Sequence, residues 1–552
     1  MMKKNFKQLL ALALSAAMVI GMVGCGNEAT KNTETQAVSK ETETTQTKES
    51  ETQTQVVEEE LTYPLDSDET ITMWTHRLTL NSDYKSWEES PFHTGLSEKV
   101  GVKFEFSFPN EGQSSTDAYN LLMTEDVLPD VIFRAENNTN LTELEADGVI
   151  YDLTPYLEEY APDYWAAITS NPDIWRQVTN VDGKVLGFWA IKDEPVITGG
   201  PQIRKDWLDA QGLQVPVTME DWENVLTVFK EKYNATLGYA STFFNTAFFA
   251  SGAGAFQTSQ CKYFIDDNGK VQAAVLQPEW VEYMKILNRW YEAGLIDNDA
   301  VTMDVASVRT KAANNQIGAS WGALSQLTNF NADAEATGSG SEWIGVSYPR
   351  SAAGEPTNWI EASGLVITSA ACITTSCPED KLITVIKALN YGYSEEGAMF
   401  WNFGEEGETY TLNSAGEPEW TDLVLNDPQG LNGAATRYGG AASAPIGYQL
   451  STFTKMKNSQ AAADAIDVWR DNTEAYDHYL QGMALTTEES AVYTDKQNAL
   501  STYISEMAQK FLMGTESLDD DNIAKFYAQL KTMRIEECVA IQQTAYERYL
   551  AK

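Results

Sequence analysis

Between residues 70 and 133 the chain reads Thr70-Ile71-Thr72-Met73-Trp74, then Val102-Lys103-Phe104-Glu105-Phe106, then Leu128-Pro129-Asp130-Val131-Ile132-Phe133. Each of the three stretches has the alternation or apolar run of a strand. A loop carrying His76 and Arg77 follows the first, and a helix is predicted over 87–100. A short helix over 117–123 precedes the third. Strand, helix, strand, helix, strand at this spacing implies βαβ units, and so a parallel sheet in an α/β protein.

The pattern continues outward from there. Asp182-Gly183-Lys184 is a tight turn between extended segments that end in Gly187-Phe188-Trp189. An extended stretch over 196–203 leads into a helix beginning at Arg204-Lys205-Asp206-Trp207-Leu208. A helix over 218–232 opens with Thr218 as N-cap and Asp221 three residues on. Asp266-Asp267-Asn268-Gly269-Lys270 is a hairpin turn whose acids lack EF-hand spacing, so it reads as a solvated turn. Helices are expected over 279–293, 381–389 and 394–402, with a strand over 364–368. The C-terminal third is largely helical, and Thr486-Thr487-Glu488-Glu489 is a capping box opening a helix to about 513. No internal repeat is evident.

The first residues combine Lys3, Lys4 and Lys7 with an apolar run over 9–23 that ends in Met22-Val23-Gly24-Cys25. This has the layout of a signal peptide over 1–24, and the run is shorter than the roughly 20 residues of a spanning helix. Residues 26–60 are mostly Thr, Glu, Gln, Ser and Lys without an aromatic, a composition too polar to offset its own ordering entropy. Residues 25–60 therefore read as a tether of the length suited to a Gram-positive cell surface.

The 552 residues carry 80 Asp and Glu against 38 Lys and Arg. The tether, with nine Glu and three Lys, accounts for only about six of the 42 net negative charges, so the folded body is itself acidic. Nucleic acid is excluded as a partner by the lack of a basic footprint, and a neutral ligand is favoured over an anionic one. Of five Cys, Cys25 belongs to the N-terminal signal. Cys372 and Cys377 fit either a small-loop disulfide or, preferably, buried free thiols, and their spacing lacks the partners of a zinc site. Three His, at 76, 93 and 478, leave little for His-dependent metal or triad chemistry, and no metal or cofactor is expected.

No Walker-type loop, Gly-x-Ser-x-Gly elbow or His-Glu-x-x-His is present, and in so acidic a chain carboxylate pairs do not identify a glycosidase. Fifteen Trp and 25 Tyr say more. Trp74, Trp189, Trp321, Trp359, Trp401 and Tyr448 are expected in loops at strand or helix ends. Aromatic rings cover the apolar face of a sugar, and Asn, Gln, Arg and carboxylates bond its hydroxyls. Plain core packing is the alternative for each ring. The run Phe243-Phe244-Asn245-Thr246-Ala247-Phe248-Phe249 reads equally as a buried helix or as a cleft wall with Asn245 as hydrogen-bonder.

Several stretches together resemble the lipoprotein-type solute-binding proteins of carbohydrate ABC transporters, including the alginate-oligosaccharide binders. They are Leu121-Leu122-Met123-Thr124-Glu125-Asp126-Val127-Leu128-Pro129-Asp130-Val131-Ile132, Ile203-Arg204-Lys205-Asp206-Trp207-Leu208, Trp290-Tyr291-Glu292-Ala293-Gly294-Leu295-Ile296-Asp297, Asn402-Phe403-Gly404-Glu405-Glu406-Gly407-Glu408-Thr409-Tyr410 and Gln543-Thr544-Ala545-Tyr546-Glu547-Arg548. The N-terminal stretch resembles a lipobox with Met22 where Leu is commoner, which implies diacylglycerol on Cys25. The resemblance implies a two-lobed, periplasmic-binding-protein-like type II fold with hinge-crossing segments near 189–203, near 360–366 and in the C-terminal part. Lobe 1 is expected over 61–195 plus 364–435, and lobe 2 over 196–363 plus 436–552. It further implies binding of a neutral oligosaccharide between the lobes, hinge closure, and delivery by a monomer, lipid-anchored on the extracellular face of the membrane, to permease subunits of an importer.

By that resemblance His76 and Arg77 fall in a polar loop, Phe248 near an aromatic wall, and Trp321 near an aromatic-bearing loop. Pro445-Ile446-Gly447-Tyr448-Gln449 resembles a "PIGFW" loop with Gln449 in place of Trp. The expected ligand-binding set is Trp74, His76, Arg77, Arg134, Asn245, Phe248, Trp321, Trp359, Glu361, Trp401 and Tyr448. The calcium loop of some alginate binders should fall between 233 and 238, where this chain is short and lacks an Asp cluster, so no such site is expected. No enzyme activity is expected. A surface glycoside hydrolase or lyase, or a peptide-binding lipoprotein, is the alternative.

Overall fold

The computed structural model describes residues 61–75, 89–110, 112–137, 140–241, 249–256, 262–358, 362–440, 446–470, 474–480 and 483–552. Cys25 and the tether, and the expected site residues His76, Arg77, Asn245, Phe248, Trp359 and Glu361, lie outside the described residues.

The three opening strands form where they are read: β1 (Thr70–Trp74), β2 (Lys103–Ser107) and β3 (Val131–Phe133). They run parallel, with Thr70 opposite Lys103 and Met73 opposite Val131. The helix between β1 and β2 spans Pro91–Val100, later than expected. Ser90 sets its start: the Oγ accepts from His93 N, and Pro91 occupies the first turn. Asp130, buried just before β3, ties the strands together. Its Oδ2 accepts from Thr72 N and Oγ1 and from Lys381 Nζ, each at 2.7 Å.

β4 (Phe188–Lys192) leads to the crossing strand β5 (Val196–Ile197) and on into a second sheet. That sheet contains β6 (Gly199–Arg204) and β7 (Thr236–Tyr239), then, after the hairpin β8 (Tyr263–Ile265) and β9 (Val271–Ala273), β10 (Ile317–Ala323) and β11 (Trp343–Gly345). Its order is β11-β6-β10-β7. The chain returns through β12 (Ala362–Ser363), antiparallel to β5. β13 (Val366–Ile373) then inserts between β4 and β3, antiparallel to both. After the small hairpin β14 (Tyr410–Leu412) and β15 (Pro418–Trp420), β16 (Tyr448–Gln449) adds to β4 in parallel. The first sheet thus has the order β16-β4-β13-β3-β1-β2.

Both faces of this sheet are buried, as expected where crossover helices cover a mainly parallel sheet. Ile71, Met73, Val131, Phe133 and Ile191 enter one apolar cluster, and Trp74, Ile132, Ala370 and Cys372 enter another. The alternation of Val131, Ile132 and Phe133 between the two follows from the two-residue period of a strand. A separate core gathers the second sheet, Trp222, Trp280, Trp290 and the C-terminal helices. The capping boxes at Thr218–Asp221 and Thr486–Glu489 form, opening helices Met219–Tyr233 and Thr487–Leu512. In the turn after β8, Asp266 Oδ1 accepts from Asn268 N and Lys270 N at 2.9 Å each, so that acid closes the hairpin. Cys372 and Cys377 are buried free thiols, the second of the two readings.

Candidate ligand-binding cleft

The strands of the first sheet other than β13 end on one edge, and β13 begins there. The space outside the carboxyl ends of strands is where open α/β sheets bind ligands. Arg134, the residue after β3, takes a left-handed φ of 64°. Such a conformation costs a non-glycine residue on the order of 1 kcal/mol or more and persists where surrounding contacts impose it. Here Arg134 N donates to Ala370 O at 2.8 Å, which turns the chain off β3 into the short helical turn Ala135–Asn137.

That turn brings Glu136 to the same strand. Its Oε1 accepts from Ala370 N at 3.3 Å, while Oε2 is buried without a hydrogen-bond partner. Burial pushes the Glu136 carboxyl up to about 7, against the opposing pull of the Ala370 N–H and the Arg134 charge. The Arg134 guanidinium lies 5.5 Å from the centre of the Phe133 ring, and its Nε is buried and unpartnered. Ala370 is also the register partner of Trp189, whose Nε1 has no hydrogen-bond partner, and the neighbouring Ser369 is fully buried with Oγ unpartnered. Unpaired buried polar atoms cost about 1–3 kcal/mol each and are rare in folded proteins. Four of them belong to residues that neighbour Ala370 through the backbone, by register or in sequence. They comprise two N–H donors, one acceptor and one hydroxyl that can do either, the group types that bond hydroxyls.

Trp74, at the end of β1, sits in the cluster that contains Ala370 and is flanked by Trp189. It is 4 % exposed and meets Tyr119 edge-on at 6.0 Å. Tyr448 is half-buried opposite Ile191, and burial pushes its hydroxyl up to about 12. Asn402, fully buried, positions it: Nδ2 donates to Tyr448 O at 2.8 Å and Oδ1 accepts from Leu450 N at 3.0 Å. Trp74 and Arg134 thus lie at the ends of the neighbouring strands β1 and β3, Trp189 lies on β4 across β13, and Tyr448 lies on β16 beyond β4.

Trp401 and Trp321 lie elsewhere. Trp401 is inside helix Glu395–Phe403 rather than in a loop, 7 % exposed and edge-on to Phe92 at 5.0 Å. Trp321 is inside β10 rather than in a loop, fully buried between Phe249 at 5.8 Å and Tyr348 at 5.4 Å. Beside it runs a buried polar network. Gln202 Nε2 donates to Gly322 O at 2.9 Å and Ala323 O at 3.0 Å, and Gln326 Nε2 donates to Ser320 Oγ at 2.9 Å. A Cβ at Gly322 would meet the Gln326 amide nitrogen at 2.1 Å, so a larger residue here would displace Gln326 from Ser320.

The crossings are braced by an ion pair and by hydrogen bonds. Arg470 reaches Glu194 through two nitrogens at 3.0 and 3.1 Å, and Ser451 N and Oγ donate to Asp193. Among the described residues, no group of three or more His, Cys, Asp or Glu is placed to hold a metal. No described helix is long and apolar enough to cross a membrane.

Glu136 and Ser369 escape sequence reading: Glu136 is one of 80 acids, and neither residue type signals burial on its own. Trp189 appears among the aromatic candidates, but nothing local marks its unpaired indole N–H.

No family model matches the sequence. Lipoprotein LipO of Bacillus subtilis is 23 % identical over 339 residues, covering 59 % of this chain and 65 % of LipO. The fructooligosaccharide ABC transporter substrate-binding protein FusA of Streptococcus pneumoniae is 24 % identical over 280 residues, 47 % of this chain and 51 % of FusA. The chain thus spans half to just under two thirds of these relatives. The crystal structure of alginate-binding protein AlgQ2 without calcium ion superposes with a TM-score of 0.69 at 22 % identity, over 89 % of this chain and all of that one. FusA in complex with kestose superposes at 0.66 and 18 %, over 88 % of this chain and all of that one. These likenesses establish the fold as the two-lobed α/β, type II binding-protein plan with a largely helical C-terminal region.

Proposed function

We propose that this chain is a non-catalytic oligosaccharide receptor that binds its ligand between the lobes and delivers it to the permease of an ABC importer. The unpaired polar atoms of Arg134, Glu136, Trp189 and Ser369 around Ala370, beside Trp74, carry this reading. Groups of these types suit a ligand that offers hydroxyls to bond and an apolar face to cover. It is supported by the substrate-binding role in FusA's name and by the kestose in its structure.

His76 and Arg77 follow directly on β1, Asn245 and Phe248 follow β7, and Trp359 and Glu361 precede β12. In this reading they complete the cleft. The lobes meet at β4–β5, at β12–β13 and between Met456 and Gln460, with Ile446 and Phe453 packed into the first lobe. The name of LipO supports a lipid anchor. Cys25 is its site, the 26–60 tether its spacer, and the extracellular face of a Gram-positive membrane its place.

A thermal-shift screen of the purified chain against plant and host oligosaccharides tests the function. Selective stabilisation without product release is expected, reaching about 2.7 kcal/mol at a hundredfold excess over Kd. Turnover of the stabilising glycan would sink the receptor reading, as would a melt shifted only by peptides.

A further inference from the structure

We propose that the lobes turn on one short junction in each crossing, at Asp193–Glu194, Gly364 and Asn458, and that Arg470 is a positioning residue whose grip on Glu194 limits how far the cleft angle varies. This goes beyond the receptor reading, because it concerns the chain with no ligand bound.

At each junction the hydrogen bonds change lobe within a few residues. Asp193 is held by the first lobe. Its N–H donates to Gln449 O at 3.2 Å, and its carboxylate accepts from Ser451 N at 2.9 Å and Ser451 Oγ at 3.1 Å. Ser451 opens the helix Ser451–Met456, whose Phe453 lies in the first core. Glu194 is held by the second lobe. Its two oxygens accept from Arg470 at 3.0 and 3.1 Å, a bidentate pair. Arg470 ends the helix Gln460–Trp469, whose Ala462, Ile466 and Trp469 lie in the second core. In the second crossing, Ser363 pairs with Val196 and Ala362 with Ile197 of the second core. Leu365 O accepts from Lys192 N at 2.8 Å, and Leu365 packs against the first core. Gly364 stands between the two holds. In the third crossing, Met456 O accepts from Trp420 Nε1 of the first lobe at 3.0 Å, and Ser459 N donates to Thr328 Oγ1 of the second at 3.3 Å. Asn458 bonds both sides: Nδ2 donates to Thr454 O at 2.7 Å, and Oδ1 accepts from Thr328 Oγ1 at 3.3 Å.

Rotation between two packed bodies is absorbed by the few residues whose backbone neither body holds. The junctions are not equally free. Pro195 fixes its own φ and confines Glu194 to extended conformations. Gly364, between the Lys192–Leu365 and Val196–Ser363 pairings, has no side chain to restrict it. The first crossing is therefore stiff and the second yields. A stiff crossing guides rotation only while each of its ends is fixed to its own lobe. Asp193 supplies that hold on the first lobe, and Arg470 supplies it on the second through Glu194 and through Pro195 O at 3.4 Å. Without Arg470, residues 194 and 195 can follow either lobe, and the spread of cleft angles widens. Apparent affinity falls with the fraction of molecules in the competent geometry, so Arg470 acts on binding without touching the ligand.

The test is the distribution of distances between dyes on the two lobes of the full-length chain, without ligand, read by single-molecule energy transfer. Arg470→Gln should widen it roughly 1.5-fold with circular dichroism unchanged. The charge-exchanged chain, Glu194→Arg with Arg470→Glu, should return it to the native width, which loss of packing at either position would not do. Gly364→Val should narrow it. A native width in Arg470→Gln overturns the role of Arg470, as does a charge-exchanged chain as wide as Arg470→Gln. A native width in Gly364→Val overturns the pivot at that residue. Should Arg470→Gln or Gly364→Val fail to fold, Glu194→Gln or Gly364→Ala decides in its place by the same outcomes. No arm uses a glycan, so failure of the pivot leaves the receptor reading standing, and a glycan screen without a hit leaves the pivot standing.

Discussion

Glu136 burdens the empty fold. In the unfolded chain its carboxyl titrates near 4.3, and in the folded chain at about 7. A carboxyl raised on folding stabilises the fold only while it stays protonated. As pH rises through the unfolded value the unfolded chain releases its proton first, so stability falls, and the loss is complete above the folded value. Glu136→Gln removes that charge while keeping the shape. The variant should therefore melt higher than the native chain at pH 8, by about 2–4 °C for each kcal/mol recovered, and at nearly the same temperature at pH 4. Melting curves at the two pH values check this, and equal melting temperatures at pH 8 would show that the carboxyl is not desolvated. Such a trade of stability for function fits a binding residue. At this scale sequence reading is partial. Arg134 and Trp74 are legible as candidates because a guanidinium can bond sugar hydroxyls and an indole can cover a sugar face. Glu136 is not, since what distinguishes it is Ala370, a partner more than 230 residues away in the chain, and Ser369 is not, since its burial is set by the sheet around β13.

Elements are more legible, because what starts and stops them is local. The capping box at Thr486 is readable from four consecutive letters, and the structure forms it reciprocally. Thr486 Oγ1 accepts from Glu489 N at 3.2 Å, and Glu489 Oε2 accepts from Thr486 N at 2.9 Å. The same carboxylate receives both terminal nitrogens of Arg548, at 2.5 and 3.1 Å, from the helix Ile535–Ala551. Thr486→Ala should cost about 1 kcal/mol and lower the melting temperature by roughly 2–4 °C, with Thr486→Ser restoring most of it. A differential scanning trace for the three chains measures it, and an unchanged melt in the alanine variant would deny the cap any energetic role. β13 shows where local reading ends. A strand is visible over 364–368, but it runs over Val366–Ile373 because its length is set by pairing with β3 and β4. Trp321 fails for the same reason: a Gly-Ala-Ser-Trp-Gly run looks like a loop until Gln202 and Gln326 close on its glycine.

At the scale of the whole molecule the two-lobed plan is legible through the order of its motifs, but the contacts that set the angle between lobes are not. The helix Ile535–Ala551 packs in the second core through Ile535, Cys538 and Ala545. Beyond its end Lys552 Nζ donates to Thr179 O at 2.8 Å, Asn180 O at 2.7 Å and Thr179 Oγ1 at 3.2 Å. Those acceptors follow the helix Pro172–Val178, whose Ile174 and Val178 lie in the first core. One turn earlier, Arg176 of that helix lies 5.6 Å from the centre of the Tyr549 ring. The lobes are thus joined without covalent linkage at a point remote in sequence from the three chain crossings. Hinge rotation changes the distance between lobes most where they are not covalently joined, so this strap must pivot or release when the angle changes. The energy at stake is small, since a few hydrogen bonds and one half-buried cation–π contact contribute about 1–3 kcal/mol together. That is comparable to the gap between conformations each populated at the per cent level. Lys552→Ala combined with Tyr549→Ala should leave each lobe folded, with circular dichroism unchanged. It should broaden the distribution of distances between dyes placed on the two lobes, and shift ligand affinity severalfold through the altered population of the closed form. Single-molecule energy transfer on the doubly labelled chain reads the distribution directly. A width equal to that of the native chain would mean the strap follows the hinge passively, and that the three crossings alone set how far the cleft opens.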